Sequence, residues 1–106
     1  MKLVVFGSTG LVGKNLRDLD IHTMVDNIQA VEWLSSKDVN LLNLEEIEEY
    51  FFRFKPTHVI NLAGKVGGIL ANKNAGADFY YENIVMNANL YHTCAKNKIK
   101  HLVNLG

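Results

Sequence analysis

Three glycines near the amino terminus have the spacing and the setting of a phosphate-binding turn. Gly7, Gly10 and Gly13 are three residues apart and directly follow the apolar run Leu3-Val-Val-Phe6. Such an unbroken apolar run is typical of a parallel strand that is buried on both faces. Without a Cβ, Gly10 leaves room for a pyrophosphate, and Gly13 lets the next helix pack closely on the strand. The pattern favours dinucleotide binding over a merely tight turn, although it departs from the G-x-G-x-x-G fingerprint.

A helix is predicted over residues 11–19, directly after this glycine turn. Its first free N–H groups and the positive end of its dipole would point at the diphosphate of a dinucleotide. Thr9 offers a hydroxyl donor at the same place. The turn therefore needs no Lys or Arg of its own to bind an anion.

The residues after the second predicted strand, 30–34, bear on the choice of cofactor. A chain that selects NAD usually has an Asp or Glu at the end of this strand, where it binds the ribose 2′-hydroxyl. Here the strand is followed by Ser35, Ser36 and Lys37, whose hydroxyls and ammonium suit a 2′-phosphate, so the sequence favours NADP. Asp38 complicates this interpretation, and an ordinary solvated turn remains the alternative.

The middle of the chain predicts a capped helix and a third strand. Asn43 and Glu46 have the spacing of a capping box, with the Glu46 carboxylate reaching back to the Asn43 N–H, and Pro56 ends the helix. Its apolar stripe is Leu44, Ile47, Phe51 and Phe54, and the acidic run over 45–49 is interpreted as a solvated face. A strand over 58–62 follows.

The last third of the chain predicts a long loop, a long helix and a fourth strand. The glycine-rich loop covers 65–76, the helix 77–98 and the strand 101–106. Three asparagines interrupt the helix, and because Asn is a poor helix former, at least one is expected to have a polar task; the alternative is that all face solvent. Helical spacing places Tyr80, Ile84, Tyr91 and Ala95 on one stripe of this helix.

Composition limits the possible functions. The 106 residues allow one domain at most, and 11 basic residues balance 11 acidic ones, which gives no support to binding of nucleic acid or of an anionic membrane. No apolar run approaches the length of a membrane span or a secretion signal, so a cytoplasmic protein is expected. The single cysteine, Cys94, is interpreted as a core residue, and the four histidines show no metal-binding spacing.

Several motifs together resemble the GDP-L-fucose synthase family of the extended short-chain dehydrogenase/reductases. They are Ser35-Ser-Lys-Asp38 with Leu41, Lys55-Pro-Thr-His-Val-Ile60, and Ala63-Gly-Lys-Val-Gly-Gly-Ile69 with Asp78-Phe79 and Asn83. The resemblance covers essentially the whole chain and is most specific over 55–91. It implies an α/β fold, a Rossmann-type parallel sheet with helices on both faces. It also implies an NADP(H)-dependent enzyme that epimerises GDP-4-keto-6-deoxy-D-mannose at C3 and C5 and reduces its C4 ketone.

The resemblance also implies roles for individual residues. The backbone of Thr9, Gly10, Leu11 and Val12 would hold the pyrophosphate, in the turn that Gly7 and Gly13 flank. Ser36 and Lys37 would bind the 2′-phosphate region, Asn40 and Leu41 the adenine, and Leu62 and Ala63 would line the cofactor groove. Asn83 matches the helix Asn that supports the catalytic lysine through water. Gly64 stands where the family usually has Ala.

The catalytic residues of the family have no counterpart in this sequence. The family has a Ser after the fourth strand and a Tyr-x-x-x-Lys pair beyond it, whereas none of the four tyrosines here has a Lys four residues later. We therefore expect residues 1–106 to be the truncated NAD(P)-binding portion of a homodimeric enzyme, inactive alone. A stand-alone dinucleotide-binding or redox-sensing module is the alternative. A methyltransferase is disfavoured, because Lys65-Val-Gly-Gly68 has no place in one.

Overall fold

The computed structural model describes residues 1–8, 28–63 and 73–104, with side chains described from residue 81 onward in the last range. Four strands, β1 (Lys2–Phe6), β2 (Ala30–Leu34), β3 (His58–Asn61) and β4 (His101–Asn104), form one parallel sheet. Their order across the sheet is β2-β1-β3-β4. Two helices, α1 (Leu44–Phe54) and α2 (Lys73–Lys96), connect strands of this sheet. The predicted Rossmann-type α/β fold is confirmed.

The central strand β1 is buried on both faces, as its unbroken apolar run predicts. Val4 and Phe6 point to one face of the sheet and Leu3 and Val5 to the other, and all four are buried. The helices α1 and α2 pack on the face that carries Val4 and Phe6. The helix predicted over 11–19 lies outside the described residues, and so does most of the glycine-rich loop.

The predicted cap of α1 is correct in one half and wrong in the other. Asn43 Oδ1 accepts hydrogen bonds from the backbone N–H groups of Glu45 (3.1 Å) and Glu46 (3.3 Å). Glu46 does not reach back to Asn43: its carboxylate accepts instead from the backbone N–H of Asn40, at 3.3 Å. The reason is that the Asn43 N–H already donates to the Asn40 carbonyl (2.9 Å) in the preceding turn.

The apolar face of α1 contains one more residue than its predicted stripe. Ile47 and Phe51 are buried as expected, and Leu44 and Phe54 are half-buried. Tyr50 is also buried, and its hydroxyl donates to Glu32 Oε1 on β2 at 2.6 Å. The helix ends at Phe54, and Lys55 then adopts the left-handed conformation with φ 53°.

The boundaries predicted for α2 are displaced at both ends. The helix begins at Lys73, four residues before the predicted start, so the last part of the predicted loop is helical. Gly76 had favoured a loop, but a single glycine costs a helix only about 1 kcal/mol. The helix ends at Lys96 because Lys98 takes a left-handed conformation, with φ 56°.

The stripe that helical spacing indicates for α2 does not face the core of the protein. Ile84 and Tyr91 are 66% and 48% exposed, and Ala95 is exposed as well; the Tyr80 side chain lies outside the described residues. The buried face consists of Met86, Leu90, Thr93 and Cys94. It includes a polar residue, Thr93, whose hydroxyl donates to the Asn89 carbonyl at 2.9 Å. Counting apolar residues therefore selects the wrong face of this helix.

The interpretation of Cys94 as a core residue agrees with its surroundings. The side chain is buried in the main apolar cluster, and burial raises the pKa of its thiol to about 11. Within residues 1–8, 28–63 and 73–104, no three His, Cys, Asp or Glu side chains gather where they could hold a metal ion. Neither α1 nor α2 combines the length and the apolar character needed to cross a bilayer.

Candidate dinucleotide-binding site

The sheet topology brings the ends of β1 and β3 together at a position suited to ligand binding. Phe6 is in register with Leu34 of β2 and with Asn61 of β3, so the carboxyl ends of the three strands lie side by side. The strand order changes direction at β1, whose neighbours are β2 on one side and β3 on the other. In open α/β sheets, ligands bind outside the carboxyl ends of the strands at such a switch point.

Gly7 and the chain leaving β3 are in direct contact at this switch point. Gly7 has φ +80°, and a Cβ there would lie 2.6 Å from the Leu62 carbonyl carbon and closer still to the Ala63 nitrogen. The Leu62 N–H donates to the Phe6 carbonyl at 2.8 Å, which holds the two segments together. Three residues predicted to line the cofactor site are thus brought into one place: Gly7, Leu62 and Ala63.

In the turn after β2, the carboxylate of Asp38 accepts hydrogen bonds from another residue of the same turn. Asp38 Oδ2 accepts from the Ser35 N–H (2.8 Å) and the Ser35 hydroxyl (3.1 Å). These hydrogen bonds, the backbone one first, hold the pKa of Asp38 below its ordinary value, so it stays ionised. Ser36 and Lys37, in contrast, are exposed. The residue that complicates the NADP prediction is therefore directed to Ser35.

The residues predicted to contact adenine differ in what they present. Asn40 is exposed, and its Oδ1 accepts from the Leu42 N–H at 3.0 Å. The Leu41 side chain is buried in the core, and its carbonyl accepts from Asn89 Nδ2 at 2.9 Å. Leu41 can therefore offer a ligand its backbone but not its side chain.

The other predicted site residues are divided between α2 and the undescribed segments. Asn83 is half-buried on α2. Two further asparagines of this helix have polar tasks: Asn89 binds the Leu41 carbonyl and Asn87 accepts from Asn61, which confirms that expectation. The residues of the glycine turn itself lie outside the described part of the chain: Thr9, Gly10, Leu11, Val12 and Gly13.

Comparison with known proteins identifies the family. The sequence pattern of the NAD dependent epimerase/dehydratase family matches residues 3–106, which is nearly the whole chain. This chain belongs to that family. It is 39% identical to GDP-L-colitose synthase of Yersinia pseudotuberculosis over all of its own length and 33% of that relative. It is 42% identical to a probable GDP-L-fucose synthase of Drosophila melanogaster over 87% of this chain and 28% of that protein.

Solved structures of similar proteins show the same fold. A GDP-L-fucose synthetase from Naegleria fowleri bound to NADP superposes with a TM-score of 0.77 at 30% identity, over 97% of this chain and 32% of that one. A GDP-mannoheptose C4 reductase from Campylobacter jejuni with NADP bound gives 0.82 at 27% identity, over 97% of this chain and 32% of that one. This member of the epimerase/dehydratase family spans about a third of the length of the curated relatives it matches.

One polar group at the site of this family member was missed by the sequence analysis. Asn61 closes β3, is fully buried, and accepts a hydrogen bond from the Ala63 N–H at 2.9 Å. Asn104 occupies the matching position of β4. The sequence did contain a signal, because His58-Val-Ile-Asn61 and His101-Leu-Val-Asn104 place the same polar residues at the same spacing in two apolar strands.

Proposed function

We propose that this chain forms the NADP(H)-binding portion of a GDP-sugar epimerase/reductase. The observation that carries the proposal is the contact between Gly7 and the Leu62–Ala63 peptide at the switch point of the sheet. The contact sets the chain leaving β1 against the chain leaving β3 at the carboxyl edge of the sheet, where dinucleotides bind in open α/β folds. Residues 1–106 would then be the N-terminal portion of a dinucleotide-binding domain.

The turn after β2 supports NADP(H) over NAD(H). Ser36 and Lys37 present an exposed hydroxyl and ammonium, which match the charge and the hydrogen-bonding needs of a 2′-phosphate. Asp38 keeps its negative charge, with Oδ2 held by Ser35, so the preference for a 2′-phosphate depends on the ammonium of Lys37 and the hydroxyl of Ser36. When bound, the cofactor would supply the hydride for carbonyl reduction, and the residues of this chain would hold and orient it.

The substrate proposal is GDP-4-keto-6-deoxy-D-mannose, converted to GDP-L-fucose by epimerisation and reduction. Its support is the resemblance of the central motifs and the identity to proteins named GDP-L-fucose synthase, such as that of Dictyostelium discoideum at 35%. A longer protein containing this segment should oxidise NADPH in the presence of this sugar nucleotide. A non-catalytic binding module, the alternative function, would bind NADPH and leave it unconsumed.

Titration of the purified chain with NADPH and with NADH tests the cofactor proposal. We expect NADPH to bind at least about tenfold more tightly, which corresponds to roughly 1.4 kcal/mol from the contacts of the 2′-phosphate. Calorimetry or NADPH fluorescence gives both dissociation constants. Equal affinities, or tighter binding of NADH, would overturn the cofactor assignment.

We also propose that the exposed apolar face of α2 pairs with a second copy of the protein. Tyr81, Ile84 and Tyr91 are 70%, 66% and 48% exposed and lie along one side of the helix. Large apolar side chains grouped in this way are typical of association surfaces. Sedimentation should detect a dimer that Ile84→Glu dissociates, whereas a monomeric parent chain would contradict the proposal.

A further inference from the structure

Asn61 uses its whole amide group in hydrogen bonds. Its Nδ2 donates to Asn87 Oδ1 on α2 (3.3 Å) and to Asn104 Oδ1 on β4 (3.2 Å). Its Oδ1 accepts from the backbone N–H of Ala63 at 2.9 Å. The amide has one satisfied orientation, because turning it over would set its oxygen against two other oxygens. The orientation of this fully buried side chain is therefore fixed by its neighbours.

The two side-chain partners of Asn61 are themselves connected. Asn104 Nδ2 donates to Asn87 Oδ1 (3.4 Å) and to the Tyr91 hydroxyl (2.9 Å). Asn61, Asn87 and Asn104, here called the asparagine cluster, thus join the end of β3, the end of β4 and the middle of α2. Fully paired buried polar networks rigidify the segments that they join.

The asparagine cluster is hydrogen-bonded to one backbone atom of the candidate site, the Ala63 nitrogen. The Ala63 nitrogen that donates to Asn61 is the atom nearest to the position of a Cβ on Gly7. Asn61 therefore sets how the peptide leaving β3 lies against the turn leaving β1. We propose that the asparagine cluster is a positioning device for the dinucleotide, which fixes the Leu62–Ala63 wall of the groove. This inference rests on the proposed binding of NADP(H).

The test compares NADPH binding by the parent chain with binding by two variants of the cluster. Asn61→Leu removes all three hydrogen bonds of this residue, and we expect a roughly tenfold weaker affinity, about the factor that one lost backbone hydrogen bond can produce. Asn104→Leu leaves the Asn61–Ala63 bond in place and changes a half-buried position, so the fold is easier to retain. Here we expect about a threefold loss, since only the support of Asn61 is weakened.

Leu90→Ala is the matched control. Leu90 is buried on α2 one turn from Asn87, and its truncation destabilises the core without removing a polar contact of the cluster. The control should retain the parent affinity under conditions where it is folded. Hydrogen exchange at the Ala63 amide is the second measurement, and it should accelerate in Asn61→Leu relative to the Val59 amide but not in Leu90→Ala.

The possible results separate the two proposals. If the parent chain does not bind NADPH, the proposed function fails and this role fails with it. If the parent binds but Asn61→Leu binds within about twofold with unchanged Ala63 exchange, only the positioning role is overturned. A loss in Leu90→Ala as large as that in Asn61→Leu would also overturn it, because general stability would then explain the effect.

Discussion

The backbone nitrogen of Ala63 occupies the space that a side chain on Gly7 would need. Residue 7 must be glycine for two independent reasons: a Cβ would collide with the Ala63 nitrogen, and the backbone has φ +80°. The close approach joins the chain after β1 to the chain after β3 at the switch point of the sheet. A side chain at residue 7 would therefore alter both the stability of the sheet and the shape of the proposed groove.

Gly7→Ala should destabilise the protein by roughly 2–5 kcal/mol, because left-handed strain and overpacking both oppose a Cβ at this position. It should also abolish NADPH binding, since either the Leu62–Ala63 peptide or the turn must move. Urea unfolding and NADPH titration measure the two effects. Gln29→Ala, at an exposed position beside β2, is the control and should change stability by less than about 0.5 kcal/mol. Unchanged binding by Gly7→Ala would mean that the cofactor does not bind beside the contact between Gly7 and the Leu62–Ala63 peptide.

Lys37→Glu should reverse the preference for NADPH over NADH. The substitution replaces an exposed ammonium by a carboxylate that repels a 2′-phosphate, and we expect NADPH affinity to fall about tenfold or more while NADH affinity is kept. Lys55→Glu makes the same change of charge just before β3, at the amino-terminal ends of the strands, whereas Lys37 follows the carboxyl end of β2. This control should leave the affinities for NADPH and NADH unchanged. If both variants lost NADPH affinity to the same extent, the cause would be the net charge of the protein and not a contact between Lys37 and the 2′-phosphate.

Acid should weaken the protein through the histidine pair on β3 and β4. The rings of His58 and His101 stack with their centroids 4.3 Å apart, and the Thr57 hydroxyl lies 2.8 Å from His58 Nδ1. Burial lowers the pKa of His58, and the charges of His101 and of the N-terminal amine lower it further. Because the unfolded chain then binds more protons below about pH 6.5, stability should fall as the pH drops through that range.

Urea midpoints measured between pH 8 and pH 5 test this dependence. His101→Gln removes the neighbouring positive charge and should flatten the curve, although the effect of burial on His58 remains. His92→Gln replaces an exposed histidine of α2 and should leave the slope unchanged. A parent curve that does not respond to pH would contradict the proposed effect of the pair.

Lys55→Gly should stabilise the protein by about 1 kcal/mol. Lys55 ends α1 with φ 53° and ψ 60°, and a left-handed conformation strains any residue that has a Cβ by roughly 1–2 kcal/mol. Glycine avoids most of that strain, although it gives the unfolded chain more freedom. Glu49→Gly, at an exposed position inside the same helix, should instead cost about 1 kcal/mol. Thermal unfolding of both variants checks the opposite signs.

The parts of the fold that the sequence predicts well are those set by local chemistry. An unbroken apolar run marks β1, and Asn43 marks the start of α1 because its side chain can accept from free N–H groups. The buried face of α2 could not be predicted in this way. Two faces of that helix satisfy helical spacing. The buried one contains Thr93, whose hydroxyl bonds to Asn89 within the helix, and borders Asn87, whose donors on β3 and β4 are brought to it only by the tertiary fold.

The candidate site shows the same division. Gly7 is predictable as a strand end, whereas its contact with Ala63 depends on β1 and β3 becoming neighbours, which no local pattern encodes. The prediction of an NADP preference follows from residue types at the end of β2. The engagement of Asp38 by Ser35 depends on the conformation of the turn, and it became evident only in the structure.

The repeated spacing in β3 and β4 has a consequence for how the sheet assembles. His58 faces His101 and Asn61 faces Asn104, so side chains match at both ends of the four-residue ladder. Sliding one strand by two residues would preserve which side chains face the helices, and hydrophobicity alone would tolerate it. Such a slip of β4 would separate the stacked rings and would also remove the Asn104 acceptor from the buried amide of Asn61. The two polar pairs therefore select one register of β3 against β4, where hydrophobic burial alone would allow more than one.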